Sequence, residues 1–358
     1  MGANELARTG VRELPLYAPD GTTCDIDVSD NTNLWGAPPA ALRMISSAMG
    51  SSVSRYPSVY SEPLRGAILQ YVELTDASVV TGCGSDDVLD STMRAFGDTG
   101  NSIAYSVPTF SMIPVLARLN GLALREVPLM PDFDVDAEQL VDCEAKITYL
   151  CAPNNPTATS ISRSAVEYVV ARARGIVMLD EAYAEFAPET FADLVANNDR
   201  LIVVRTFSKA FGLAGLRVGY GVGSREIIRL VERARGPYKV SSLAERAVLA
   251  TLDTTPDGLG WVREHAALAV TNRNRLAAAL STLGLPVLPS AASFVMVPLA
   301  RAREIGIALR EQGVLVRPFT GLPLEIPMLA ASNGAALRIG VGPWEMMQGL
   351  LDRLAPVL

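Results

Sequence analysis

Along the chain, short uninterrupted apolar runs alternate with polar or glycine-rich turns and then with helix-like stretches. The clearest runs are Ser78–Thr81, Ile103–Tyr105, Ile147–Cys151, Ile176–Leu179, Leu201–Val204 and Leu216–Val222. A strand covered on both faces has no polar side to alternate with, so such runs predict the core strands of a mainly parallel sheet in an α/β fold. In sheets of this kind functional groups gather where the strands end. From about Val240 the pattern changes to Ala- and Leu-rich helical stretches, Ala244–Leu252 and Trp261–Leu283, then short strands around Phe294–Val297 and Val314–Arg317. This predicts a second domain, with Pro256, Gly258 and Gly260 as boundary punctuation. The first thirty or so residues are expected to pack alongside it. The resulting division is a large domain over 31–255 and a smaller one over 1–30 and 256–358.

Composition narrows the function classes. With 358 residues, 49% of them apolar and 19% charged, the chain can bury a sizeable core and does not read as disordered. A net charge of -7 offers no basic face for nucleic acid. Cys24, Cys83, Cys143 and Cys151 form no C-x-x-C pair, and His265 is the one histidine, so no metal site is expected and a reducing cytoplasm fits best. His265 lies between Glu264 and Ala266 on a helical stretch and is expected to be solvated. The opening Met1-Gly2-Ala3-Asn4-Glu5-Leu6 lacks an apolar signal region, and nowhere do eighteen apolar residues run together, so a soluble protein without a membrane partner is expected. Lysine is scarce: Lys146, Lys209 and Lys239 are the only three. Chemistry that needs a primary amine must use one of them. Lys146 precedes a strand and Lys239 precedes a helix start, which leaves Lys209, in a polar turn.

Four segments carry candidate chemistry. Thr81-Gly82-Cys83-Gly84-Ser85-Asp86-Asp87 joins a strand to the amphipathic stretch Val88–Phe96. Glycines let backbone approach an anion and a helix N-terminus stabilises its charge, although a tight turn with a helix cap reads equally well. Pro153-Asn154-Asn155-Pro156-Thr157 is a rigid turn that can aim an amide into a cleft, or only a turn. Asp180 ends the apolar run Ile176–Leu179, where a carboxylate is costly unless it meets a cation or donors; a helix cap would also explain it. In Arg205-Thr206-Phe207-Ser208-Lys209-Ala210-Phe211-Gly212-Leu213-Ala214-Gly215-Leu216-Arg217, a lysine follows a strand and an arginine lies eight residues later at the next one.

This last segment resembles the signature of the class I/II aminotransferases of fold type I, in particular the histidinol-phosphate aminotransferase branch. The other elements follow in the family's order and extend the resemblance over most of the chain. Leu14-Pro15-Leu16-Tyr17, Asn31-Thr32-Asn33-Leu34-Trp35-Gly36, Arg55-Tyr56-Pro57, Leu64-Arg65, Pro108-Thr109-Phe110 and Leu337-Arg338-Ile339-Gly340 all resemble family landmarks. The resemblance implies a seven-stranded, mainly parallel sheet sandwiched by helices, a smaller α+β domain, and pyridoxal 5′-phosphate as cofactor. Lys209 would carry the cofactor as a Schiff base and act as general acid and base. Asp180 would pair with the pyridinium nitrogen, and Asn155 and Tyr183 would bond the ring oxygen. Phe110 would stack on the ring. Ser85, Asp86, Thr206, Ser208 and Arg217 would gather at the cofactor and its phosphate. Arg338 would fork to the substrate carboxylate, with Tyr17 and Asn33 on the substrate side. Tyr56 would reach the phosphate of a neighbouring subunit, which implies a homodimer.

The activity so implied is a ping-pong exchange of an amino group between histidinol phosphate or an aromatic amino acid and a 2-oxo acid. Three positions depart from the pattern: Thr32 where Glu is usual, Ala158 where Gly is usual, and Ser293 where Asn is usual. They touch the substrate side and leave the choice of donor open. The alternative enzyme class is a pyridoxal-phosphate decarboxylase or lyase of the same fold, resembling threonine-phosphate decarboxylase, because the bond broken depends on substrate pose. A pyridoxal-binding regulator would need a basic DNA-binding domain ahead of landmarks that already begin near Tyr17.

Overall fold

The computed structural model describes residues 2–16, 21–47 and 54–358. After a two-residue strand β1 (Ile26–Asp27) come the seven strands of the main sheet: β2 (Ser78–Gly82), β3 (Ser102–Val107), β4 (Ala123–Pro128), β5 (Ile147–Cys151), β6 (Ile176–Asp180), β7 (Leu201–Thr206) and β8 (Gly219–Gly223). Their order across the sheet is β2-β8-β7-β6-β5-β3-β4. All pairings are parallel except those of β8, which runs antiparallel to both β2 and β7. Every residue of β5, β6, β7 and β8 is buried, as continuous apolar runs require. Successive side chains serve opposite faces. Tyr149, Met178, Ile202 and Val204 pack with the helix Ser85–Phe96 and the helix Arg225–Ala234, while Leu150, Val177, Leu179 and Val203 pack with the helices Glu62–Tyr71, Arg163–Arg172 and Ser242–Leu252.

One expectation about this sheet is corrected. The run Leu216–Val222 does not begin a strand at Leu216. A 3₁₀ turn covers Ala214–Leu216, Arg217 takes a left-handed φ of 53°, and β8 starts at Gly219. The polar strand β4 has no counterpart among the apolar runs. It pairs only with β3 at the sheet edge and carries Arg125 and Glu126, so it lacks the apolar signature.

A smaller layer contains β9 (Phe294–Pro298), β10 (Val314–Leu315), β11 (Arg317–Phe319) and β12 (Ala336–Gly340). Strands β11, β12 and β9 form an antiparallel sheet, and β10 pairs in parallel with β1. Ile26, Val28, Leu276, Val295, Val297, Ile305, Val314 and Ile339 share its core. The long helix Trp261–Thr282 reaches both layers: Leu276 and Leu280 serve this core, while Val262, Ala266 and Ala269 serve the large one. Its His265, expected to be solvated, is half-buried. The ring stacks on Trp261 at 3.9 Å between centroids, meets Trp35 edge-on, and its Nδ1 bonds the Trp261 carbonyl at 2.8 Å. Among the described residues no helix is long and apolar enough to cross a membrane, and no His/Cys/Asp/Glu group is arranged to hold a metal.

Candidate active site

Strand register brings the candidate segments to one edge of the main sheet. Cys151 is level with Asp180 and Asp180 with Val204, while Thr206 is level with Gly219 and Gly219 with Gly82. The turns after β2, β3, β5, β6 and β7, and the turn before β8, therefore open side by side. This is where a parallel sheet of this order collects its ligands.

Lys209 lies three residues beyond the end of β7. Its turn is tightened by Thr206, whose Oγ1 accepts from the Ser208 amide at 3.1 Å. The Thr206 hydroxyl thus shapes the turn that presents Lys209. The Lys209 Nζ donates to the Asp30 carbonyl at 3.2 Å and stands 5.9 Å from the centre of the Tyr183 ring. Burial, together with the nearby Arg338 and Arg217 cations and against the pull of Asp30 and Asp86, lowers its pKa to about 8. The free-amine fraction therefore rises as pH passes through about 8, more than two units below an ordinary lysine. In cofactor-free protein, modification of Lys209 by an amine-selective reagent should reach half its maximal rate near pH 8. Peptide mapping against Lys146 and Lys239 measures this, and an ordinary midpoint near 10 would refute it.

Asp180 is 3% exposed. Its Oδ2 accepts from the Tyr149 hydroxyl at 2.9 Å and its Oδ1 from the Ala182 amide at 3.0 Å. Burial pushes its pKa up to about 6 despite these donors. Tyr149, the middle residue of β5, carries no signal of this role because in sequence it is one more residue of a buried strand. Tyr183 is buried, packs edge-on against Phe294 at 5.1 Å, and has its pKa pushed up to about 12, chiefly by burial.

The Pro153–Thr157 turn is cross-linked by Asn154, which accepts from Thr109 Oγ1 and donates to the Pro108 carbonyl and to Thr157 Oγ1. Asn155 is left to face the opening, where its Oδ1 accepts from Arg338 at 2.8 Å. An amide whose oxygen is taken in this way presents its NH₂ as a donor. Ala158 closes the turn at φ 65°. This left-handed conformation is the one glycine adopts freely, which accounts for the family's usual residue there. Arg338, on β12, also bonds the Ser29 carbonyl and lies over the Phe294 and Phe319 rings at 5.4 and 5.6 Å. Ser293, the other departure on this side, keeps a buried hydroxyl without a hydrogen-bond partner among the described residues.

At the end of β2, Gly84 (φ 83°) precedes the helix Ser85–Phe96, so the Ser85 and Asp86 amides open at its N-terminus. A side chain at Gly84 would collide with the Arg217 guanidinium, and one at Gly219 with the Ser85 backbone, so these glycines allow the cradle, β8 and Arg217 to meet. Two acids in the first turn of this helix would oppose an anion, and both are offset. Asp86 lies 3.6 Å from Arg217 and burial raises its pKa, while Asp87 pairs with Lys239 at 2.8 Å. Lys239 therefore does more than precede a helix, as the sequence reading had it. Ser208 is buried in the Lys209 turn and Phe110 is half-buried beyond β3.

Two expected residues stand elsewhere. Asn33 does not face the opening: its Nδ2 donates to the Ala210 carbonyl at 2.9 Å and its Oδ1 accepts from the Trp35 amide at 3.0 Å, so its amide is consumed in fastening the chain to the Lys209 turn. Asn31, two residues earlier, is the one that reaches Tyr183. Tyr56 is 82% exposed and stacked on Tyr238 of the same chain at 4.7 Å. Tyr17 lies outside the described residues. A cavity of about 980 Å³ lined by Tyr71, Glu185, Val262, Arg273 and Ala291 includes none of the expected site residues.

The family model described as aminotransferase class I and II matches residues 10–354. A histidinol-phosphate aminotransferase of Roseiflexus castenholzii is 37% identical over 93% of this chain and 89% of its own. An aromatic amino acid aminotransferase of Corynebacterium efficiens is 32% identical over 95% of this chain and 98% of its own. The solved structure of histidinol-phosphate aminotransferase from Sinorhizobium meliloti in complex with pyridoxal-5′-phosphate superposes with a TM-score of 0.85 at 24% identity, over 98% of this chain and 96% of that one. With this match across nearly its whole length, the chain belongs to the class I and II aminotransferases and is a pyridoxal 5′-phosphate-dependent aminotransferase of fold type I.

Proposed function

We propose that the enzyme takes its amino group from histidinol phosphate or an aromatic amino acid, returns it to a 2-oxo acid, and works as a homodimer in the cytoplasm. The observation that carries the reading is the convergence of five side chains: Asn155, Asp180, Tyr183 and Lys209 from the turns ending β5, β6 and β7, met by Arg338 from β12 of the smaller sheet. The donor set fits the cofactor. A carboxylate held by two donors suits a protonated ring nitrogen, and a helix N-terminus cleared by Gly84 and joined by Arg217 suits a phosphate. When bound, the cofactor supplies an electron sink for the charge that develops at the substrate α-carbon.

The chain's own residues supply the rest. Lys209, with its depressed pKa, is the amine that carries the cofactor and later moves the proton at the substrate α-carbon. Asp180 meets a cation that stabilises its ionised form and drives its pKa back down from about 6. The Ser85 and Asp86 amides, Ser208 and Arg217 hold the phosphate. Phe110 covers the ring, and the Asn155 NH₂ and Tyr183 hydroxyl donate to the ring oxygen. Tyr56, exposed on one chain, extends toward the partner's phosphate.

Arg338 accounts for the two donor types. A guanidinium forks equally well to a carboxylate and to a phosphate ester, so the same residue can receive an amino acid or a phosphorylated amino alcohol. Replacing Arg338 with Lys should lower kcat/KM about 10- to 100-fold toward every donor used, because a point charge cannot reproduce the fork. Steady-state kinetics with histidinol phosphate, phenylalanine, tyrosine, aspartate and glutamate as donors and 2-oxoglutarate as acceptor test the whole reading. Parallel double-reciprocal lines with histidinol phosphate or an aromatic donor support it. Release of carbon dioxide would instead indicate the decarboxylase class, which the matching relatives do not favour.

A further inference from the structure

The turn from Ser29 to Asn33 touches four parts of the site in succession. The Ser29 carbonyl accepts from Arg338, the Asp30 carbonyl from Lys209, the Asn31 amide reaches Tyr183, and Asn33 holds the Ala210 carbonyl. Three of these contacts use backbone or fasten the chain. The Asn31 contact differs, because it is a side chain acting on a side chain of the site. Asn31 is 3% exposed, and its Nδ2 donates to the Tyr183 hydroxyl oxygen at 3.1 Å. Its Oδ1 is buried with no hydrogen-bond partner among the described residues. The residue sits at φ 58°, the left-handed region that asparagine tolerates better than most side chains.

A phenol donates one hydrogen bond, and its proton goes wherever an acceptor is offered. A donor against the phenol oxygen takes up a lone pair and leaves the proton to be donated elsewhere. We propose that Asn31 is a positioning residue that fixes the direction of the Tyr183 hydroxyl, so that its proton is directed to the ring oxygen of the cofactor and not into the protein. The inference rests on the role given to Tyr183 above. The observation that carries it is that Asn31 turns its Nδ2, and not its buried Oδ1, to the phenol oxygen. With the amide reversed, that oxygen would accept the phenol proton and remove it from the ring. The groups facing the Tyr183 hydroxyl and ring are Asn31, Arg338, Lys209, Phe294, Cys151 and Asp180, and the Asn31 amide is a neutral donor bonded to the hydroxyl.

A donated proton at the ring oxygen stabilises its negative form and so favours the unprotonated state of the linkage between Lys209 and the cofactor. The readout is therefore the pH midpoint of the visible absorption band of the cofactor-loaded protein. Two variants separate the amide from the backbone. Asn31→Gly keeps the left-handed turn without strain and removes the amide. Asn31→Asp keeps size and backbone but offers an acceptor where the donor stood. The midpoint should rise by about half to one pH unit in Asn31→Gly, the shift equivalent to one hydrogen bond, and by more in Asn31→Asp. In a Tyr183→Phe background, Asn31→Gly should shift nothing further, because the cycle isolates the pair. Midpoints unchanged in both single variants, or an equal shift with and without the Tyr183 hydroxyl, would overturn the inference. Absence of the band in the wild-type protein would instead overturn the underlying assignment of Lys209.

Discussion

Replacement of Lys209 with alanine is expected to reduce kcat by about 10⁴-fold or more while leaving the fold and the phosphate contacts in place, because the proton transfer at the substrate α-carbon loses its only positioned base. The magnitude follows from where Lys209 stands. Its amine is held at the Asp30 carbonyl beside Tyr183, and its turn is closed by Thr206, Ser208 and the Gly212 amide bonding the Lys209 carbonyl. None of these interactions needs the amine to keep its shape. Lys146 lies at the opposite end of β5, and Lys239 is committed to Asp87, so no second lysine can substitute. Single-turnover measurements on the loaded variant separate the loss of the chemical step from any loss of binding. A decline of less than tenfold would remove Lys209 from the chemistry.

The second large effect is on stability. Arg205, on β7, and Glu181, immediately after β6, are 6% and 1% exposed. Arg205 donates to Glu181 Oε2 through Nε and Nη2, at 2.9 and 2.7 Å. Glu181 also accepts from the Phe191 amide and from Thr190. Replacing Glu181 with alanine leaves a buried guanidinium without its main partner, a change that typically costs about 3–5 kcal/mol. The figure should fall at about 3 kcal/mol here, because Glu185 remains near Arg205. A drop in the urea midpoint at unchanged slope measures it. Glu181→Gln, which keeps acceptor geometry for the Phe191 amide, should lose less. Because the pair joins the strand ending at Asp180 to the strand leading to Lys209, both variants should also loosen the site.

These two residues show how unevenly the molecule could be read from its sequence. Asp180 stood out because a carboxylate ending an unbroken apolar run is conspicuous, and Lys209 because the chain has only three lysines and the other two have plainer surroundings. The core strands were legible from such unbroken runs, as β5 shows by matching its expected span residue for residue. Strand β4 was not, since an edge strand with one solvated side carries no such run. The direction of β8 was hidden too, because a strand looks the same read either way and its reversal is set by the 3₁₀ turn at Ala214–Leu216.

Within the site, the limit was the difference between lying near a motif and pointing into it. Asn31 and Asn33 belong to one stretch, and only backbone conformation decides which amide faces Tyr183. Tyr149 and Lys239 support the site through Asp180 and Asp87, partners 31 and 152 residues away. No local pattern could have linked them. Glu181 directly follows Asp180, yet its buried pairing with Arg205 depends on two strands being adjacent. The roles of Tyr56 and Tyr17 came from family resemblance alone.

The most direct test of the account is the visible absorption spectrum of the purified protein loaded with pyridoxal phosphate, recorded before and after each amino donor, with the Lys209→Ala variant in parallel. The account predicts that the wild-type protein shows the band of a cofactor joined to a lysine amine, that one donor class removes the band, and that a 2-oxo acid restores it. It also predicts that the variant lacks the band. The same spectrum from wild type and variant would contradict the central claim that Lys209 carries the cofactor.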